Sequence, residues 1–109
     1  MTREIPLVKW MEKVEGEDKP ADTAKMIGLL VRNVDPAKIP RGIDKFRLTH
    51  RIFNALDESI KTDKIVLSEG DYQEVRRIIE NDVPAIWAKN EDVVKAVEGV
   101  LNARQLDNK

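Results

Sequence analysis

The sequence predicts a mainly α-helical domain, with α+β at the margin. We expect about four helices packed on one core, with a short N-terminal strand or β-hairpin. Apolar residues recur at spacings of three and four in four separate segments, which is the period of an amphipathic helix. Asp22, Ser68 and Asn90 each stand just before one of these segments, and their side chains can cap a helix N-terminus. Residues 5–11 have the composition of a short strand.

Length and composition set the class of protein. A chain of 109 residues matches one typical domain, so we expect a single domain over 1–109. Charged residues make up 36% of it and the net charge is −1, which gives no overall attraction to nucleic acid or to membranes. The absence of cysteine excludes disulfides and thiolate chemistry. With no secretion-like N-terminus and no long apolar run, we expect a soluble protein of the cytoplasm.

The first 22 residues predict a strand, a turn and a loop. Residues 5–11 predict the strand, with Pro6 at its start or on a sheet edge because proline cannot donate to a ladder. Residues 15–20 are polar and contain glycine and proline, which indicates a turn. A hairpin across this turn is one interpretation, although no clear return strand follows.

The first helix is expected over 23–34, with Asp22 as its cap. Its apolar residues cover more than one side, which favours a central helix. The alternative is a buried strand over 29–34, and Asp35-Pro36 would end either element. A stiff linker over 36–42 follows.

Three more helices are expected over 43–60, 69–81 and 91–104, with a polar, frayed tail at 105–109. The apolar stripe of the first of these consists of Phe46, Ile52, Phe53, Leu56 and Ile60. Ser68 and Asp71 fit a capping box at the start of the next, in which the Asp71 carboxylate reaches back to the cap. Residues 83–87 form a connector whose Trp87 is expected to enter the core.

No catalytic, cofactor or metal site is predicted, and we expect no enzyme. His50 is the only histidine, so a histidine pair cannot hold a metal. No phosphate-binding loop, nucleophile elbow or zinc-protease motif occurs. The acids near Ser68 are explained by the helix N-terminus, and those of the loop at 15–18 lack the spacing of a calcium loop.

Two segments of opposite charge are the better candidates for function. The basic stretch 32–51 contains Arg32, Lys38, Arg41, Lys45, Arg47 and Arg51. The segment 68–82 is mostly acidic. Opposite patches favour contact with a protein partner or self-association, and ordinary variation of a protein surface is an equal alternative. The alternative is a nucleic-acid-associated regulator using Arg41, Lys45, Arg47 and Arg51 on phosphates. A helix-turn-helix does not fit, because the connection between the second and third helices is too long.

The two tryptophans complete the predicted interaction surface. An exposed tryptophan often anchors an interface, whereas in a chain with few aromatic residues Trp10 and Trp87 can also belong to the core. The candidate interaction residues are Arg41, Lys45, Arg47, Arg51, Trp10 and Trp87.

The order of six segments along the chain can be compared with that of known proteins. They are the apolar segment 5–11, the charged turn 16–19, the apolar helix 23–34, the pattern of Lys45, Arg47 and Ile52, the helix start 66–69 and the segment 84–86. This order resembles small uncharacterised proteins of tailed phages and prophages, found among virion-structure and assembly genes. The resemblance implies a phage-encoded, non-enzymatic accessory or assembly protein of the host cytoplasm, which acts by protein contact.

Overall fold

The structure is a computed structural model that describes residues 2–32 and 41–105. These residues form an α+β fold, 62% helical and 25% strand, with four helices and two small antiparallel sheets. The strands are β1 (Thr2–Pro6), β2 (Lys9–Val14), β3 (Glu17–Asp22), β4 (Lys64–Ser68) and β5 (Arg104–Gln105); the helices are α1 (Thr23–Arg32), α2 (Ile43–Thr62), α3 (Glu69–Asp82) and α4 (Glu91–Leu101), with a 3₁₀ helix at Ala85–Lys89. The prediction of a mainly α fold is therefore wrong.

The larger sheet joins the two ends of the described chain. Its strand order is β4-β1-β5, and both neighbours run antiparallel to β1. Ile5 lies opposite Ile65, and both side chains are fully buried, whereas Val66 between Ile65 and Leu67 points outward. Strand β4 thus has the alternation of a half-buried strand. Its last residue, Ser68, is also the cap of α3, and no strand was expected over these residues.

The predicted strand over 5–11 is wrong, because the chain forms two strands there. Strand β1 ends at Pro6, and β2 begins at Lys9 in the other sheet. Strand β2 pairs with β3 in a hairpin whose turn residues, Glu15 and Gly16, have φ angles of 53° and 83°. Positive φ at both turn positions matches the twist of a two-residue hairpin, so the hairpin alternative is the one the structure bears out.

All four predicted helices are present, with changed ends. The Asp22 carboxylate accepts from the Lys25 N–H at 2.8 Å and caps α1, so the strand alternative is wrong for the described residues 29–32. The expected end of this helix at Val34, the linker residues 36–40 and Lys38 lie outside the described residues, as does the tail at 106–109. Helix α4 ends at Leu101 and not at 104, since Arg104–Gln105 pairs with β1.

The core lies between the larger sheet and the helices. Fully buried side chains come from every layer, and the largest of them are Tyr72, Ile5, Ile27, Ile52, Ile65 and Ile79. The Tyr72 hydroxyl donates to the Val100 carbonyl at 2.7 Å and so joins α3 to α4. Among the helices of the described ranges, none is long and apolar enough to cross a membrane.

The predicted core stripe of α2 is only partly correct. Ile52 and Leu56 are buried, but the side chains of Phe46 and Ile60 are 69% and 77% exposed. Ser59, by contrast, is fully buried. It is spaced from Ile52 and Leu56 by steps of four and three residues, so all three lie on the same side of the helix. Helix α2 therefore has one apolar face in the core and a second one on the surface.

Candidate interaction surfaces

The two tryptophans, far apart in the sequence, line one groove. It lies between the β2–β3 hairpin, α1, the 3₁₀ helix and the start of α4, and its volume is about 820 Å³. We call it the tryptophan groove and define it by its larger apolar lining residues, Trp10, Met26, Leu29, Ile86, Trp87 and Val93. The sequence identified both tryptophans as candidates but did not place them together.

The hairpin positions Trp10 at this groove. Successive residues of a strand point to opposite faces, so Trp10 is only 9% exposed whereas Met11 is 61% exposed. Trp10 lies opposite Ala21 of β3, which also lines the groove. The indole Nε1 is buried and has no hydrogen-bond partner among the described residues. An unsatisfied buried donor costs about 1–3 kcal/mol.

Trp87 lies in the 3₁₀ helix, where backbone hydrogen bonds hold it on both sides. Pro84 is the N-cap of the 3₁₀ helix, and its carbonyl accepts from the Trp87 N–H at 3.0 Å. The Trp87 carbonyl in turn accepts from the Asn90 N–H at 3.0 Å, and the Asn90 side chain caps α4. Trp87 is half-buried and packs against the core, whereas the neighbouring Ile86 is 67% exposed.

Apart from the two tryptophans, no apolar residue of the groove was a candidate from the sequence, and two of these additional residues, Leu29 and Ile86, are exposed. Leu29 was expected to be buried with the rest of a central helix, but it is 45% exposed. One signal was present in the sequence: α1 is apolar on more sides than a helix needs for a single core contact. The extra apolar side of α1 is the one that lines the groove.

The rim of the tryptophan groove carries both signs of charge. Glu12 and Lys25 stand on one side as an exposed ion pair, with 3.9 Å between the Lys25 Nζ and a Glu12 carboxylate oxygen. Lys89 and Glu91 stand on the other side. Exposed pairs of this kind contribute little to stability.

Two of the four candidate basic residues line a second cleft, which meets the tryptophan groove at Arg32. Arg41 and Lys45 lie with Arg32 and Arg77 at this basic cleft of about 800 Å³, between α1, α2 and α3. The acids Glu74 and Asp82 line the same cleft, so its charge is mixed. Arg47 is exposed on α2.

The fourth basic candidate, Arg51, is engaged in an internal ion pair. Its guanidinium donates two hydrogen bonds of 2.9 Å to the Asp71 carboxylate, whose side chain is only 7% exposed. These bonds raise the pKa of Arg51. The full capping box predicted for α3 is consequently wrong. Ser68 accepts from the Asp71 N–H at 3.4 Å, but the Asp71 carboxylate binds Arg51.

The acids of α3 are paired in the same way. Glu69 accepts from Arg3 at 2.8 Å, which lowers the pKa of Glu69, and Glu74 accepts from Arg77 at 2.6 Å, which lowers the pKa of Glu74. Glu80 accepts from Arg76 at 3.2 Å. The acidic segment is thus compensated to a large extent by arginines of the same chain.

Within the described residues, no group of three or more histidines and acids is arranged to hold a metal ion. His50 is exposed on α2, and its Nε2 lies 3.3 Å from the Asn54 side-chain amide. No family model, no curated protein and no solved structure matches the chain.

Proposed function

We propose that this protein is a non-enzymatic interaction protein that holds an extended, apolar segment of a partner protein in the tryptophan groove. The observation that carries the proposal is the convergence of Trp10 and Trp87 on one groove, with a buried donor of Trp10 left unpaired. Tryptophan is among the residue types that contribute most to binding at protein interfaces. Binding sites are usually concave and lined largely by apolar and aromatic side chains, and this groove combines such a lining with a charged rim.

The unpaired indole N–H favours an extended segment over a helix. A backbone carbonyl inside a helix already accepts from its own chain, whereas an extended segment carries carbonyls that are free to accept. The Nε1 atom is shielded from solvent in the unbound chain, so a carbonyl of the segment satisfies this donor only when the side chains around the indole move aside on binding. The neighbouring side chains of the segment would bury Leu29 and Ile86, which are the exposed apolar residues of the groove.

The biological setting belongs to the same proposal. The order of sequence features that resembles phage assembly proteins supports an accessory role in particle assembly, within the cytoplasm of a host cell. An assembly protein of this kind needs a surface that binds a partner, and it needs no catalytic centre. The tryptophan groove meets this requirement.

Selection from a peptide library tests the proposal. A random library of short extended peptides is panned on the wild-type protein, and the enriched peptides are titrated against variants. We expect enrichment of apolar and aromatic peptides and a loss of affinity of about tenfold or more in Leu29→Asp and Ile86→Asp. The matched control is Met11→Asp, because Met11 is equally apolar and exposed but lies on the opposite face of β2. Equal binding by all three variants would refute the groove as the binding site.

The basic residues of α2 support the alternative, a nucleic-acid-associated regulator. Arg41, Lys45 and Arg47 are all exposed near the start of this helix. The alternative predicts binding to duplex DNA that weakens steeply as salt is raised. The internal pairing of Arg51 and the acids of the basic cleft favour the protein partner, so we expect no such binding in a titration at low salt.

A further inference from the structure

The tryptophan groove and the basic cleft meet at Arg32, the last residue of α1, which lines both. Leu29, one helical turn earlier, lines the groove, and Val31 lines the cleft. The side chain of Arg32 is exposed. An extended chain that follows the groove along α1 past Leu29 therefore arrives at Arg32, where the cleft begins.

The guanidinium of Arg32 is positioned by an aromatic ring. Its Cζ lies over the Phe53 ring, 5.2 Å from the ring centre. Among the described residues, no carboxylate forms an ion pair with it. A guanidinium that stacks on a ring by its face keeps the N–H groups at its edge for a carboxylate, which it binds in a bidentate manner. Arg32 can therefore bind a carboxylate of a bound chain without leaving Phe53.

The lining of the basic cleft has an excess of positive charge. Its charged residues are four cations and two acids: Arg32, Arg41, Lys45, Arg77, Glu74 and Asp82. Glu74 accepts from Arg77 at 2.6 Å, and the lining as a whole keeps more cations than acids whichever other pairs form. The remaining charges at the start of α2, Asp44 and Arg47, are of opposite sign and do not line the cleft.

The rim of the tryptophan groove, by contrast, is balanced in charge. Apart from Arg32, it carries Lys25 and Lys89 against Glu12 and Glu91. Positive charge therefore increases from Arg32 into the cleft. A bound chain meets an apolar site and, next to it, a cationic one.

We infer that the segment held in the tryptophan groove carries acidic side chains on one side of its apolar residues, and that these acids bind Arg32 and the other cations of the basic cleft. The inference rests on the proposed function and adds the chemistry of the partner to it. Basic residues at the same place would be repelled by Arg32, Arg41 and Lys45, so the charge beside the apolar residues selects the partner.

The apolar walls of the cleft strengthen these contacts. Val31, Phe46, Ile52 and Ile78 line it together with the charged residues. An ion pair that is partly enclosed by apolar side chains is screened less by salt than a pair on an open surface. We therefore expect the acids to contribute measurably to affinity, unlike the exposed ion pair on the groove rim.

Three peptide libraries test the inference. Each has the same randomised core, extended at one end by residues that are acidic, basic or uncharged, and the set is made once for each end. The peptide termini are blocked, so that only side chains supply charge. For one of the two ends, the wild-type protein should enrich peptides of the acidic library about tenfold over those of the basic library.

Titration of one enriched acidic peptide and of its uncharged counterpart locates the charged contact. Arg32→Gln should weaken binding of the acidic peptide about tenfold and that of the uncharged peptide less than about twofold, because only the acidic peptide loses a charge-assisted hydrogen bond. Arg41→Gln should act in the same direction. Arg47→Gln is the matched control, since Arg47 is an exposed arginine of α2 that lines neither cavity. Circular dichroism verifies that the variants fold.

The outcomes separate this inference from the proposed function. Equal enrichment from the acidic, basic and uncharged libraries, with binding still lost in Leu29→Asp and Ile86→Asp, would overturn the inference and leave the proposed function intact. A preference for acidic peptides that persists unchanged in Arg32→Gln would also overturn it, because the acids would then bind elsewhere. If no library yields a binding peptide, the proposed function and the inference are both wrong.

Discussion

Two arginines fix the first turn of α3, and they show what single residues contribute to this fold. Arg3 bonds the Glu69 carboxylate and the Ala103 carbonyl, and its guanidinium lies 4.9 Å from the centre of the Tyr72 ring. Arg51 holds Asp71 in the same turn. The sequence indicates that acids favour a helix start, but it does not reveal which arginines bind them, because those arginines come from β1 and α2.

The Arg3–Glu69 pair should make part of the stability dependent on pH. Arg3 lowers the pKa of Glu69 in the folded state, so the pair stabilises the fold fully above the pKa of the unfolded chain. This contribution disappears as the pH falls through the folded pKa. We expect Glu69→Gln to lower the melting temperature at about pH 7 and to have almost no effect at about pH 2.

Thermal unfolding followed by circular dichroism at both pH values makes this measurement. Glu17→Gln is the control, since Glu17 is an exposed acid at the start of β3. A decrease for Glu69→Gln that is as large in acid as at neutral pH would show that the pair does not stabilise the fold by its charge.

The elements of the fold differ in how far the sequence predicts them. Helices α1 to α4 follow from periodicity and from caps at Asp22, Ser68 and Asn90. Strand β3 does not, because Glu17–Asp22 buries only Ala21 and contains no β-branched residue. Helix α2 shows a further limit: periodicity marks two apolar faces, and only the structure reveals which one enters the core.

The hairpin turn gives a prediction at the scale of the element. Gly16 has φ of 83°, and a side chain at this angle is strained. We expect Gly16→Ala to lower the free energy of unfolding by about 1 kcal/mol. Gly70→Ala is the matched control. Gly70 lies in the first turn of α3 with no heavy atom near its added methyl, so this variant should gain about 0.5 kcal/mol.

Urea unfolding followed by tryptophan fluorescence compares the two variants. If Gly16→Ala is as stable as the wild type, the turn does not require a positive φ at this position, and the hairpin geometry described above is incorrect.

At the scale of the whole molecule, the topology creates the candidate site. The hairpin, α1 and the 3₁₀ helix each supply a few apolar residues, and only their packing makes a groove. Composition and spacing could identify Trp10 and Trp87 as unusual residues, but not their proximity, which depends on the long-range packing of the hairpin against α1 and the 3₁₀ helix. The same packing explains why the acidic segment is not a free patch, since its arginine partners are brought from other elements or lie on α3 itself.

The central claim is that the tryptophan groove is the surface on which this protein works. Nuclear magnetic resonance tests it most directly, because two tryptophans give only two indole N–H signals. When a peptide selected on the wild type is added, both indole signals should shift, and that of Trp10 should move in the direction of a newly formed hydrogen bond. Binding that leaves both indole signals unchanged and shifts the backbone signals of Arg41, Lys45 and Arg47 would contradict the claim.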